Sequence, residues 1–236
     1  MKTVAAIYTA FSIIEPTRAM FAELMPGQRL VNIFDDSLIP DVVAAGNIVT
    51  RDIKRRLFAY CRAAEEMGVD LILSTCSTMG EAVDEIQPFI KVPILKIDEP
   101  MVRQAVDTSA AIAILATAEP TLAPTRRLVN RIAAQQGKSV SIVEGLARGA
   151  LQALTAGKPE EHDAILLEAA LAAAGQAGVI ILAQASMVRM QEVIAGKTGK
   201  PVLSSPRSGL LAVKTALESV RQCAGKTAES NQKGER

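Results

Sequence analysis

The stretch Leu71-Ile-Leu-Ser-Thr-Cys76-Ser-Thr-Met-Gly80 carries a strand-like apolar run straight into a thiol, two hydroxyls and a glycine. A helix-like segment, Glu81 to Ile90, follows. In an open parallel α/β sheet, ligands bind in the crevice beyond the carboxyl ends of the strands. A cysteine placed there, where a helix begins, meets backbone N–H groups and the positive end of the helix dipole, and both favour a thiolate. Cysteine also packs as a small buried hydrophobe, and the hydroxyls beside it are of the types that cap helices. The local pattern leaves the catalytic and structural readings of Cys76 level.

A second stretch moves the balance towards chemistry. Gly178-Val-Ile-Ile-Leu-Ala-Gln184-Ala-Ser-Met187 aligns without a gap on Asp70-Leu-Ile-Leu-Ser-Thr-Cys76-Ser-Thr-Met79, which sets Gln184 over Cys76. Each stretch is followed by a helix-like segment and a short Pro-led strand, Val92-Pro93-Ile-Leu95 and Lys200-Pro201-Val-Leu203. The interval from Cys76 to Pro93 equals that from Gln184 to Pro201. Upstream, strand-like Val4 to Tyr8 leads to Glu15-Pro16-Thr17, and Ala111 to Leu115 leads to Glu119-Pro120-Thr121. Recurrence at matched spacing is an internal duplication. It predicts two similar α/β halves whose strand ends face one another, with Cys76 and Gln184 as pseudo-symmetry mates. A buried glutamine must find polar partners, so Gln184 is a candidate substrate contact.

Composition narrows the possibilities further. At 236 residues the chain can bury a proper core, as one large or two small domains. Ala, Ile, Leu and Val dominate and Trp is absent, which suits helix-on-sheet layers rather than a base- or sugar-stacking surface. A net charge of +1 with both signs interspersed gives no nucleic-acid footprint. Three widely spaced cysteines make neither a disulfide framework nor a metal site, and Cys61 and Cys223 read as structural. His162, the single histidine, removes most metal and Ser–His–Asp arrangements and itself reads as a solvated residue opening a helix. The first residues are strand-like and too short for a signal peptide. No apolar run reaches membrane-spanning length. A soluble, cytoplasmic protein with no membrane or nucleic-acid partner is the expectation.

The elements that must position these residues can be read in order. Val4 to Tyr8 is a first buried strand, and Pro16 starts a helix through Leu24, proline being favoured in a first turn. Leu30 to Phe34 is a second strand. It ends in Asp35-Asp36-Ser37 and a loop through Pro40, Gly46 and Asn47, long enough to act as an active-site flap. Asp36 and Ser37 are candidate ligand contacts there, because loops above strand ends often carry function. Thr50 to Met67 is an amphipathic helix with Ile53, Leu57, Tyr60, Ala64 and Met67 at helical spacing, closed by Gly68. Ile97 to Pro100 reads as a hinge, and 101–108 as a short helix. In the second half, Thr121 to Gln136 is a helix whose Arg126, Arg127 and Arg131 form a solvated face. Ser139 to Val143 is a strand, with helices over 145–156 and 161–174. The helix from Ser208 to Cys223 is expected to return to the first half. The chain therefore divides into 1–98 plus 206–223, a second domain over 99–205, and a polar tail, 224–236, expected to be disordered.

At these motifs the chain resembles the aspartate/glutamate/hydantoin racemase superfamily, over nearly its whole ordered length. The matching runs are Thr75-Cys76-Ser77-Thr78 with Val92-Pro93-Ile94, Ile112 to Thr117 with Thr121, Ile180 to Met187 with Gln184 and Ser186, and Pro201 to Pro206. The resemblance implies an α/β fold of two Rossmann-like, pseudo-duplicated parallel-sheet domains with the active site in the cleft between them. It implies an enzyme without a cofactor or metal, acting on a small carboxylate or carbonyl compound, and a homo-oligomer, a dimer. Carried over residue by residue, it makes Cys76 the catalytic thiol. Thr75, Ser77, Thr78, Thr117, Thr121, Ala185 and Ser186 would offer hydroxyl or backbone N–H donors to carboxylate or enolate oxygens, and Thr9, Ala10 and Ser12 would complete the cradle. Such donors at strand ends and helix starts suit a negative charge.

The departure from that pattern lies at Gln184. The family's racemases use two proton carriers on opposite faces of the α-carbon, usually two cysteines, and a carboxamide can donate a hydrogen bond but cannot take the α-proton. Tyr8, Asp36 or Glu119 would have to serve as second carrier for racemisation. With Cys76 as sole thiol, three readings stand: racemase- or isomerase-type chemistry on a small carboxylate or dicarboxylate, with addition of the thiolate to an activated carbon as the resemblance to maleate isomerases implies; decarboxylation, as in the arylmalonate decarboxylases that the chain resembles but which keep the cysteine of the second position, or C–C or hydrolytic cleavage, with Cys76 as proton donor or nucleophile; and a small-molecule binding protein that has lost its chemistry. A working Cys76 is expected to have a lowered thiol pKa, which a relic binding pocket does not need.

Overall fold

The computed structural model describes residues 1–232, with side chains described through residue 219. The elements run β1 (Thr3–Tyr8), α1 (Ile14–Leu24), β2 (Arg29–Phe34), α2 (Leu38–Ala44), α3 (Arg51–Glu66), β3 (Leu71–Ser74), α4 (Gly80–Ile86), β4 (Ile94–Lys96) and α5 (Glu99–Thr108). They continue with β5 (Ala111–Ala116), α6 (Glu119–Gln135), β6 (Ser141–Leu146), α7 (Ala150–Thr155), α8 (Pro159–Ala174), β7 (Val179–Leu182), α9 (Gln191–Thr198), β8 (Val202–Ser204) and α10 (Ser205–Gln232).

The strands form two separate four-stranded parallel sheets of the same order, β2-β1-β3-β4 and β6-β5-β7-β8. The pairing repeats as well: Val4 pairs with Leu71 and Ile72 with Ile94 in one sheet, as Ile112 pairs with Val179 and Ile180 with Val202 in the other. The duplicated spacing in the sequence is thus a duplicated topology. Central strands β3 and β7 are buried along their whole length, as expected of parallel strands covered by helices on both faces. Edge strands β2 and β6 are partly exposed.

The core divides by sheet face. Ala5, Ile7 and Ile72 pack against Ile53, Leu57, Cys61 and Ala64 of α3. On the other face of the same sheet, Val4, Ala6, Leu71 and Leu73 meet Phe21 of α1 and Leu210, Val213 and Leu217 of α10. Helix α3 starts where Thr50 accepts a hydrogen bond from the Ile53 N–H at 3.5 Å, and it ends at Gly68, whose φ of +70° is the left-handed conformation that closes helices.

Four expectations need correction. The segment after β2 is no open flap: Asp35 accepts from the Ser37 N–H at 3.0 Å, and α2 follows at once, burying Leu38 and Val42. Strand β6 runs to Leu146, so the helix expected from Gly145 begins at Ala150. His162 is wholly buried, because His162, Leu166, Ala170 and Ala173 form the inward stripe of α8; its Nδ1 lies 2.8 Å from Asp163 Oδ1. Arg127 and Arg131 are not simply solvated: they cross from α6 to Glu81 and Asp84 of α4, at 2.8 and 2.5 Å. Cys223 and the tail expected over 224–236 lie outside the residues whose side chains are described.

Candidate active site

The loops after β1, β2 and β3 and those after β5, β6 and β7 enclose one cavity of about 550 Å³ between the two sheets, within the roughly 300–1,000 Å³ of small-molecule sites. Thr9, Ala10, Ser12, Asp36, Thr75, Cys76, Ser77, Thr78, Thr121, Gln184, Ala185 and Ser186 all line it. Two predicted contacts do not. Ser37 is turned to Asp35, donating from Oγ at 2.6 Å. Thr117 sits behind the wall, where its N–H and Oγ–H donate to Gln184 Oε1 at 2.6 and 3.0 Å.

Gln184 is therefore oriented by its neighbours. Its Oε1 accepts from Thr117 twice and from the Ala118 N–H at 3.3 Å. A carbonyl oxygen saturated in this way fixes the amide, and the Nε2 group, which has no partner among the described residues, is left as a donor. Thr75 lines the cavity, but its hydroxyl donates to the Ile7 carbonyl at 2.8 Å. Ser77 Oγ–H donates across the cleft to the Ala183 carbonyl at 3.3 Å, so the residue next to the thiol also joins the halves.

Cys76 lies at the end of β3, just ahead of a 3-10 turn over Ser77–Met79. Burial pushes its thiol above the ordinary value, and hydrogen bonds from Thr9, from the backbone N–H groups of Met79 and Thr78 and from the Thr78 hydroxyl pull back without offsetting it. In the free cleft the thiol is the favoured form, opposite to the thiolate expected from the strand-end position. Cys61, in the core, is pushed up to about 12 by burial alone.

Charge is nearly absent from the wall. Among the described residues, Cys76 and exposed Asp36 are the only titratable ones lining the cavity, and no Lys, Arg or His does. An anion there would be held by neutral donors: hydroxyls of Ser12, Thr121 and Ser186, the Gln184 amide, and backbone N–H groups at the starts of helical segments. Of the groups considered as a second proton carrier, only Asp36 is in place. The Tyr8 hydroxyl is buried outside the cavity, its pKa raised to about 12 by burial, and Glu119 is exposed on the first turn of α6, off the cavity wall.

The apolar part of the wall was not legible in the sequence. Ile13, Ile39 and Pro40 come from the first half, and Leu151, Leu154 and Thr155 of α7 from the second. The i, i+3 pair Leu151 and Leu154 marks an apolar face, but nothing local says that the face is turned to the cleft. Among the described residues no cluster of His, Cys, Asp and Glu converges as a metal site, and no helix is long and apolar enough to cross a membrane.

Comparison with known proteins follows this geometry. Residues 9–213 match the sequence profile of the Asp/Glu/Hydantoin racemase family. Among solved structures, a glutamate racemase from Bacillus anthracis superposes with a TM-score of 0.76 at 11% identity, over 92% of this chain and 82% of that one. An aspartate racemase from Picrophilus torridus gives 0.70 at 14% identity, over 92% and 94%. An allantoin racemase from Klebsiella pneumoniae gives 0.65 at 15% identity, over 92% and 88%. At these identities the likeness is one of fold. A comparison with curated proteins finds no significant match in sequence.

Proposed function

The chain belongs to the Asp/Glu/Hydantoin racemase family, and on that premise we propose a cofactor-independent enzyme of isomerase type in which Cys76 exchanges a proton with the α-carbon of a small carboxylate. The observation that carries this reading is the pinned amide of Gln184. With Oε1 occupied by Thr117 and Ala118, Nε2 is a ready donor to a carboxylate or enediolate oxygen. Gln184 thus keeps the anion-stabilising part of its pseudo-symmetric position and gives up proton transfer to Cys76. Hydroxyls of Ser12, Thr121 and Ser186 complete the cradle. The two halves of the cleft belong to a domain formed by 1–98 with 206–223 and a domain formed by 99–205.

In the chemical step a base on the other face of the substrate, for which Asp36 is a titratable group on the wall, takes the α-proton to leave a planar enediolate. The S–H bond of Cys76 then breaks, its proton joins the α-carbon as the enediolate collapses to the carboxylate, and solvent reprotonates the thiolate and deprotonates the base. The raised thiol pKa suits this acid role better than nucleophilic addition, which needs the thiolate. It also favours a second reading, in which loss of CO₂ generates the enediolate and Cys76 quenches it from one face. If Asp36, the other titratable group on the wall, serves the opposite face, the outcome is racemisation.

Incubating the enzyme in D₂O with 2-substituted carboxylates and malonates, followed by NMR, tests the proposal. Deuterium should enter the α-position, with CO₂ released only in the decarboxylase case, and with both enantiomers labelled only in the racemase case. Cys76→Ser should lose about 10²–10⁴-fold in rate, the typical contribution of a general acid–base group, because the hydroxyl is a far weaker acid. Gln184→Glu keeps an acceptor for Thr117 and Ala118 but removes the donor, and should cost about 10²-fold or more. Exchange that persists undiminished in Cys76→Ser would sink the reading.

A further inference from the structure

A second, smaller hollow of about 280 Å³ opens beside the main cavity and shares Ser12, Ile13, Leu154, Ala185 and Ser186 with it. Its own walls are Pro16, Thr17 and Met20 of α1, Val188 of the 3-10 turn over Ala185–Met190, and Pro206 of α10. We propose that it is a side chamber of the active site and that the substrate carries an uncharged apolar substituent of about phenyl size, seated against Met20 and Val188 while the carboxylate lies at Cys76 and Gln184. This deepens the reading proposed above and rests on it for the position of the carboxylate.

Three observations support the assignment. The two spaces adjoin and have five lining residues in common, so the hollow is the space that an arm reaching from the cradle past Ser12, Ile13 and Leu154 would enter. The chamber is large enough: an apolar cavity of about 150 Å³ admits benzene. Its chemistry is also selective. Arg189, the one charged residue on its rim among the described residues, has its guanidinium committed to Asp163, at 2.6 Å from Oδ1 and 2.7 Å from Oδ2. A second carboxylate on the substituent would therefore find no free cation there, and burying it unpaired is strongly unfavourable. A short polar substituent would leave the apolar surface of Met20 and Val188 wet. An apolar arm satisfies both conditions.

Calorimetric titration of the intact protein with unbranched acids from propionate to heptanoate, and with 2-phenylpropionate and 4-phenylbutyrate, tests this directly. Affinity should rise about fourfold per methylene that enters the chamber. Val188→Phe, which fills the chamber without touching the main cavity, should cancel that rise, a loss of about tenfold or more for the longer acids, and leave propionate unchanged. Met20→Phe does the same from α1 and covers the case in which the first variant does not fold. An affinity independent of length, or a rise that survives both substitutions, overturns the proposal. The matched alcohols separate it from the reading beneath it. If alcohols show the length dependence and its loss in Val188→Phe while no acid binds, the chamber stands and the carboxylate reading falls. If neither series binds, the chamber falls as well.

Discussion

At the scale of single residues, the important distinction is between where a group sits and what state it is in. Cys76 and Gln184 occupy equivalent strand ends, yet one keeps a transferable proton and the other is held as a donor by Thr117 and Ala118. That Cys76 stands at a strand end, ahead of a helical turn, was legible from the apolar run before it. Its protonation was not, because burial is a property of what packs around it. The resulting prediction concerns iodoacetamide labelling against pH, read residue by residue. In the ligand-free protein Cys76 should require a pH above the ordinary thiol value near 8.5. Cys61, at about 12, should react only as the chain unfolds. Labelling of Cys76 at neutral pH faster than a free thiol would show that the hydrogen bonds from Thr9, Thr78 and Met79 outweigh burial after all.

At the scale of elements, the mouth of the cavity depends on how β2, α2 and α3 are tied together. Asp35 at the end of β2 accepts from Ser37, from the Tyr60 hydroxyl at 2.5 Å and from Arg56, which also reaches Asp41 at 2.5 Å. Burial opposes ionisation of Asp35, but these hydrogen bonds from Ser37, Tyr60 and Arg56 together outweigh it and hold the carboxyl down at about 2. A carboxyl depressed on folding stabilises above its unfolded pKa near 3.9, and that contribution is lost as pH falls through the folded value. Asp35→Asn should therefore cost about 2 kcal/mol at pH 7. The difference from the parent should shrink between pH 4 and 2 in urea unfolding curves. A constant difference over that range would mean that shape, not charge, is what Asp35 contributes. The sequence showed these residues as a polar loop because the partners come from α3, some twenty residues later.

At the scale of the molecule, the cleft exists only if the two sheets are held at a fixed distance. Ser77 to Ala183, Arg127 to Glu81 and Arg131 to Asp84 cross it. The ion pairs are half-exposed, and pairs of that kind contribute at most about 1 kcal/mol each. The firmer joint is α10, which packs on the first sheet, on α1 and on α5. It approaches so closely at Gly209 that an added Cβ would lie 2.6 Å from the Ile97 carbonyl oxygen and 3.0 Å from its Cα. Backbone atoms cannot rotate away, so Gly209→Ala should cost about 1–3 kcal/mol and lower Tm by several degrees. Gly196→Ala, in α9 with open space around it, should instead leave Tm unchanged or raise it slightly, by up to about 1 kcal/mol of helix propensity. Equal Tm values for the two variants would refute the close seating of α10.

What the sequence determined by itself was what repeats: two similar α/β halves, and the thiol and amide at matching strand ends. Periodicity and spacing are local, and local interactions suffice to encode them. Only the tertiary structure decided that Thr117 supports Gln184 rather than facing the cavity, that His162 is buried, that α7 walls the cleft, and that burial pushes the Cys76 thiol up. Each of these depends on desolvation and on contacts between residues far apart in the chain. The same residue types could have met other partners, and no pattern within a window of sequence specifies which ones they meet.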